Sequence, residues 1–478
     1  MSGIGAPAPA VGPETPDQAL ARAQSAAQVR RFGEASGICN DVLAASPDHP
    51  PALALLGMIA AHTNDPERGI ALLERAIAAR PGVAGWYANL AALYRMAYRI
   101  QDALRVGQEA IRLDPQNADH LVSLSLIFTD VDDRQSAIAC LLRAVGVKPD
   151  HADGHLALGQ NLLAMGEFAP GWIEYEWRNQ TEAGKATLPK MTSAAWNGMR
   201  IPNGKLLLVG DQGYGDTIQF ARYIPMCAER CQEVILGCSE EMAPLLASLP
   251  GVAQYCHRWT DVPGHAAHCR LSSVPGLLHT TPDNIPANIP YLSADPARAA
   301  AWRERFAATL PSGTRRVGLA WSGRPTHPND RRRSVTLARL APLANIGGVS
   351  FVSLQKPVPA ADLIEMARFP GLADTAGDFG ETAAMMMNLD LVICVDTAMG
   401  HLAGALGRPV WILLSKAADW RWMIDRSDSP WYPTARLFRQ QVTGAWDPVI
   451  AEAAAALAEF VQSKPEQGPE VCAATVRA

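Results

Sequence analysis

Between about Pro16 and Arg178, apolar and small residues recur at helical spacing, and the pattern itself repeats. Pro47, Pro81, Pro115 and Pro149 each follow the last by 34 residues, closing successive units because proline cannot continue a helix. Within one unit Leu53, Leu56, Gly57 and Ala60 form one helix face and Gly69, Leu73 and Ala76 the next. Tyr87, Leu90, Ala91 and Tyr94 precede Ala103 and Ala110 in the following unit, and Leu121, Leu124, Ser125 and Phe128 precede Ala137, Leu141 and Ala144 in the one after. Asp65-Pro66 has the form of an N-cap followed by proline at the first helical position. From Ile201 the texture changes to short apolar runs bounded by glycine, the pattern of buried parallel strands. These runs are Lys205–Val209, Val317–Trp321, Val349–Leu354, Leu389–Val395 and Val410–Leu414. A helical stretch from Thr217 to Cys231 is expected after the first, and the proline-rich passage from Asn284 to Pro296 is expected to be a linker.

A 34-residue period of paired helices is the tetratricopeptide signature, which predicts an α-solenoid over 16–180 with a concave surface for peptides or partner proteins. Residues 1–15 are expected to be a disordered arm, lacking the basic and apolar regions of a secretion signal, and 463–478 a flexible tail. The strand pattern predicts two Rossmann-like domains, 200–285 and 297–462, with a cleft between the carboxyl ends of their strands. The fold class is therefore α plus α/β multidomain.

Composition narrows the function. There are 42 Lys and Arg against 47 Asp and Glu, a net charge of -5, so no cationic surplus exists to bind nucleic acid. No apolar run approaches the length of a membrane span. The nine cysteines are scattered, which points to a reducing, cytoplasmic location. Cys256, His257, His265, His268 and Cys269 fit no standard zinc spacing, and no metal site is expected.

Two stretches carry candidate chemistry. Gly210-Asp211-Gln212-Gly213-Tyr214-Gly215-Asp216 lies between the first strand and its helix, where a glycine-rich turn serves either structure or a ligand. The second runs from Val395 through Asp396-Thr397-Ala398-Met399-Gly400-His401 to Gly407-Arg408-Pro409. Here a strand gives way at once to a small-residue helix whose free amides suit a diphosphate; an Asp/Thr cap with a packed histidine would use the same residues. Trp420, Arg421, Trp422, Trp431 and Tyr432 either stack on a sugar or pack between domains.

Asp396-Thr397, His401-Leu402-Ala403 and Arg408-Pro409, with Gly215-Asp216 at the earlier turn, resemble the signatures of the heptosyltransferase-like glycosyltransferase family nine. Gly210–Phe220 and Ser429-Pro430-Trp431-Tyr432-Pro433 resemble a bacterial subgroup that fuses tetratricopeptide repeats to such a module. The resemblance implies a GT-B architecture and an inverting transferase needing no bound metal or cofactor besides its nucleotide-sugar donor. It implies Asp216 as general base on the acceptor hydroxyl, beside Gly213 and Gly215. Thr397 and the amides of Met399 and Gly400 would hold the diphosphate, with Asp396 and His401 positioning the donor. Ser322 would contact phosphate, Arg333 would stand where the family carries a lysine, and Gln355 would be a further donor contact. Ala398 replaces a frequent glycine, a strained position if its φ must be positive. The acceptor would be a protein, peptide or envelope glycan presented by the repeats, in the cytoplasm or peripherally at the inner membrane. An inactive module on a repeat scaffold is the alternative reading; a dinucleotide oxidoreductase lacks its fingerprint.

Overall fold

The computed structural model describes residues 14–463, except 190, 211–212, 248, 328 and 374–376. The expected arm and tail therefore fall almost wholly outside the described residues, as do Asp211 and Gln212. The chain forms two compact units that divide between Leu158 and Gly159.

The first unit is a run of antiparallel helix pairs: α1 (Pro16–Gln28) with α2 (Phe32–Ala45), α3 (Pro50–His62) with α4 (Pro66–Ala79), α5 (Ala84–Met96) with α6 (Ile100–Leu113), and α7 (Ala118–Asp130) with α8 (Arg134–Val147). Every first helix has 13 residues and every second helix 14. The turn inside each pair holds one left-handed residue at the same register: Arg30, Asn64, Tyr98 and Asp132, with φ between 59° and 64°. Asp65 caps α4 through the Arg68 amide at 3.3 Å, and Asn117 and Asp133 cap α7 and α8 in the same way. Gly57 and Gly69 mark where α3 and α4 cross: a Cβ on Gly69 would lie 3.0 Å from the Gly57 carbonyl. Leu53, Leu73 and Leu93 fill the core between pairs. Helix α9 (Ala152–Ala164) begins in this unit and ends in the next, followed by α10 (Phe168–Tyr175) at the same 34-residue step.

The second unit contains two five-stranded, wholly parallel sheets. The first comprises β1 (Ala194–Ala195), β2 (Ile201–Val209), β3 (Cys231–Gly237), β4 (Val252–Cys256) and β5 (Ala267–Arg270), in the order β1-β5-β2-β3-β4. The second comprises β6 (Arg315–Ala320), β7 (Val349–Ser353), β8 (Leu391–Val395), β9 (Val410–Leu414) and β10 (Ala435–Arg439), in the order β10-β9-β8-β6-β7. Each is a doubly wound sheet whose order reverses at β2/β5 or β6/β8, the position beyond whose carboxyl ends folds of this kind bind ligands. The expected helix over Thr217–Cys231 is broken. One helix spans Tyr214–Ala221, a second spans Ile224–Ala228 with Pro225 in its first turn, and Cys231 already begins β3. The passage after Asn284 ends at Asp295, which caps the helix Pro296–Thr309. Its Tyr291 hydroxyl donates to the Ile218 carbonyl at 2.9 Å, so the passage is fastened to the first sheet's domain.

Candidate functional site

Asp216 lies in the first turn of Tyr214–Ala221, where a carboxylate complements the helix dipole. Gly213 caps that helix, and the Asp216 carboxylate folds back over it, 3.0 Å from where a Cβ would stand. Gly215 permits a close approach from the other sheet: a Cβ here would lie 2.9 Å from His401 Cδ2 and 3.6 Å from Ala398 Cα. The helix after β2 thus crosses the helix after β8, Ala398–Ala405, at a point only glycine allows.

Asp396 follows β8 directly and Thr397 caps the helix; the Thr397 hydroxyl is buried without a hydrogen-bond partner. Ala398 is the first helical residue and has no positive φ, so the strain a required glycine would imply is absent. Met399 is half-buried on the same turn. Gly400 packs the helix onto its sheet, with Cys394 Sγ and Ile412 Cδ1 each 3.2 Å from the position of a Cβ. His401 is 5% exposed, its Nδ1 is 2.9 Å from the Tyr432 hydroxyl, and its ring stacks on Trp422 at 5.2 Å. Burial, with the charge of Arg421 added, pushes this imidazole down to about 3, so it is neutral.

The loop after β6 supplies the next wall. Gln355 is buried and accepts from the amides of Trp321 and Ser322 at 3.0 and 2.9 Å, while its own amide donates to the Pro357 carbonyl at 3.2 Å. It holds the Ser322 loop from behind. Arg333 lies against Gly323, 3.6 Å from Asp330, and its Nε is buried with no hydrogen-bond partner. His327, in the same loop, is within electrostatic reach of Arg333, Asp419, Asp330 and Asp216.

The centre of the arrangement is Arg421, which the sequence marks only as part of an aromatic stretch. It is buried, and its Nη2 donates to Asp216 Oδ1 at 2.8 Å, its Nη1 to Asp419 Oδ1 at 2.8 Å and its Nε to Gln219 Oε1 at 2.6 Å. One guanidinium from the second sheet's domain therefore clasps the acid and amide of the first. Burial would raise Asp419, but Arg421 outweighs it and holds that carboxyl below the usual range. Burial, reinforced by the charge of Asp419, pushes Asp396 upward. Trp420, Trp422, Trp431 and Tyr432 are almost wholly buried, which decides between their two readings in favour of packing. Trp420 meets Trp172 edge-on at 5.4 Å, and Trp431 stacks on Phe168 at 6.2 Å.

Of the sequence-predicted residues, Gly213 and Gly215 adjoin Asp216 and His401, and Asp396 lies within electrostatic reach of Asp419, Arg333 and Arg421. Thr397, Met399 and Gly400 share the turn that opens the Ala398–Ala405 helix, and Ser322 is held by Gln355. The Cys256–Cys269 histidines and cysteines are separately engaged: His268 meets the Ser193 hydroxyl, His265 the Pro263 carbonyl and His257 the Cys238 carbonyl. Among the described residues no group of three or more His, Cys, Asp or Glu side chains is placed to hold a metal ion. No helix among them is long and apolar enough to cross a membrane.

Residues 375–438 match the family model described as glycosyltransferase family 9 (heptosyltransferase). The chain joins a tetratricopeptide array to a family-nine-like module. The matched segment contains Asp396, Thr397, His401, Arg408 and the Asp419–Tyr432 turns of that module, whereas Asp216, Ser322, Arg333 and Gln355 lie outside it. Protein FlbA of Caulobacter vibrioides is 25% identical over 484 residues, covering 88% of this chain and 80% of FlbA. Solved structures similar to the array include MamA, 21% identical over 35% of this chain and 97% of its own with a TM-score of 0.31. TTC0263, a thermophilic protein of Thermus thermophilus, is 20% identical over 36% of this chain and 94% of its own, with a TM-score of 0.33.

Proposed function

We propose that the family-nine-like module transfers a sugar, with inversion, from a nucleotide-sugar donor to a hydroxyl on a polypeptide or cell-envelope acceptor, and that the repeat array presents that acceptor. Supporting this is the convergence of Asp216, from the first sheet, with the Ala398–Ala405 helix and Arg421 from the second. In the proposed step Asp216 takes the proton of the acceptor hydroxyl as its oxygen bonds to the anomeric carbon. The bond from that carbon to the diphosphate breaks, and the diphosphate leaves with the electron pair. The Thr397 hydroxyl and the Ala398 and Met399 amides are the donors offered to the departing phosphate, the Gly400 amide being taken by the Thr397 carbonyl at 3.1 Å, and Arg333 is the nearby cation. A cytoplasmic location, with peripheral attachment at the inner membrane as its variant, goes with this reading.

The test is Asp216→Asn, with transfer and donor binding both measured. Transfer should fall by at least about 100-fold, the scale of general-base loss, while binding persists. Unchanged transfer removes Asp216 from the role. One observation favours a silent module on a repeat scaffold: the Asp216 carboxylate already has a cationic partner in Arg421. Titration with UDP-, ADP- and GDP-sugars separates the two, since binding to none of them supports the scaffold.

A further inference from the structure

A cavity of about 760 Å³ opens beside the first sheet, sharing no residue with the acid cluster. Its walls are mainly apolar: Trp172 and Ile173 from α10, Leu188, Trp196 after β1, and Leu277. It lies at the β1/β5 edge, among the turns that follow β5. Ile173 is 69% exposed and lines the cavity beside Trp172. A half-open apolar cavity of this size with a polar rim is the form of a ligand site.

We propose that this cavity receives a bulky apolar side chain of an extended peptide lying along β1. The edge strand favours a peptide over an acyl chain. Ala194 and Ala195 are exposed, and β1 has no partner on its outer side among the described residues. The Trp196 amide donates to the His268 carbonyl, so strand alternation turns the Ala195 amide and carbonyl away from β5. A peptide backbone can pair with those groups and set its side chains alternately into the cavity; a hydrocarbon chain leaves them unmet. Glu176, paired with Arg178, and Lys185, paired with Glu182, add charges of both signs to the lining.

The cavity wall also adjoins the acid cluster by direct contact. Trp172 is fixed by its indole donating to the Thr280 carbonyl at 2.9 Å, and it meets Trp420 edge-on at 5.4 Å. Arg421 lies over Trp420 at 4.4 Å and bonds Asp216. A peptide seated here would press on the packing that sets Asp216. Only the peptide's identity as the acceptor rests on the proposed transfer; its binding does not.

The experiment uses the full chain without any nucleotide sugar. Fluorescein-labelled decapeptide amides, identical except for a central Trp, Leu or Ser, are titrated by fluorescence anisotropy. The Trp and Leu peptides should bind at least tenfold tighter than the Ser peptide. Ala169→Trp, at an exposed position of α10 on the cavity wall, should weaken the Trp peptide at least tenfold with an unchanged far-UV spectrum and melting temperature. Equal binding of the Ser peptide overturns the proposal. So does unaltered binding to the Ala169→Trp protein, which would put the peptide elsewhere, such as on the repeat array. Binding of labelled dodecanoate with no peptide binding would assign the cavity to lipid instead. Because no donor is present, failure here is distinct from failure of the Asp216→Asn test.

Discussion

His401 offers a test of the buried cluster that needs no substrate. Its folded value is about 3 against 6.5 for an ordinary histidine, and it is 5% exposed. Between these values the unfolded chain holds a proton that the folded chain refuses, so stability is full above pH 6.5 and is lost as pH falls toward 3. At pH 5 the gap is about 1.5 pH units, and at about 1.4 kcal/mol per unit this amounts to roughly 2 kcal/mol. Asp396 acts in the opposite sense: its raised carboxyl takes up a proton more readily when folded, so acid stabilises the fold through it. The wild-type pH profile alone therefore mixes two signs. The informative quantity is the difference between wild type and His401→Gln, each unfolded in urea at pH 7 and pH 5. Tryptophan emission reports on the second unit, because Trp86 alone of the 12 tryptophans lies in the first. Wild type should lose about 2 kcal/mol more than the variant on going from pH 7 to pH 5. An identical pH dependence in the two proteins would refute the neutral, desolvated His401.

Gly215→Ala puts a methyl 2.9 Å from His401 Cδ2, and overpacking at that crossing should cost about 1–3 kcal/mol in urea unfolding and depress transfer. Arg421→Met leaves Asp216 and Asp419 without their cation. Both carboxylates have side chains 35% exposed, so the loss should fall between surface and buried ion pairs, about 1–3 kcal/mol. A double-mutant cycle with Asp216→Asn should show coupling, and strict additivity would contradict the clasp. In the array, Leu73→Ala at a fully buried position should cost about 2–5 kcal/mol, seen as an earlier loss of helical ellipticity.

The array is legible in the sequence because its information is local and repeated: the prolines, the Asp65 cap and the Gly57/Gly69 crossing each report on neighbours within a few turns. The second unit is only partly so. Runs such as Leu391–Val395 are buried on both faces and read as strands, whereas Val252–Cys256 has exposed residues and β1 is two residues long, so their pairing depends on the rest of the sheet. The apolar content of Thr217–Cys231 predicts one helix, yet Pro225 and the sheet register divide it. The two motifs are visible because their glycines and acids sit at strand-helix turns. Arg421 is not, since its role is fixed by Asp216 and Gln219, more than 200 residues away. Gln355 and Gly400 lie in the right stretches, but the Gln355 side chain supports its loop and the Gly400 amide donates to the Thr397 carbonyl.

The clasp made by Arg421 also bears on how such modules can be recombined. Asp216 and Gln219 are inherited on one half and Asp419 and Arg421 on the other, outside and inside the family-nine match respectively. A chimera that borrowed a foreign second half would need a cation at the same place on its Asp419-like turn, or Asp216 and Gln219 would meet the grafted half with nothing to answer them. Swapping whole halves is thus constrained at the contacts of Arg421, and libraries that shuffle these halves should keep Asp216 and Gln219 matched to Asp419 and Arg421.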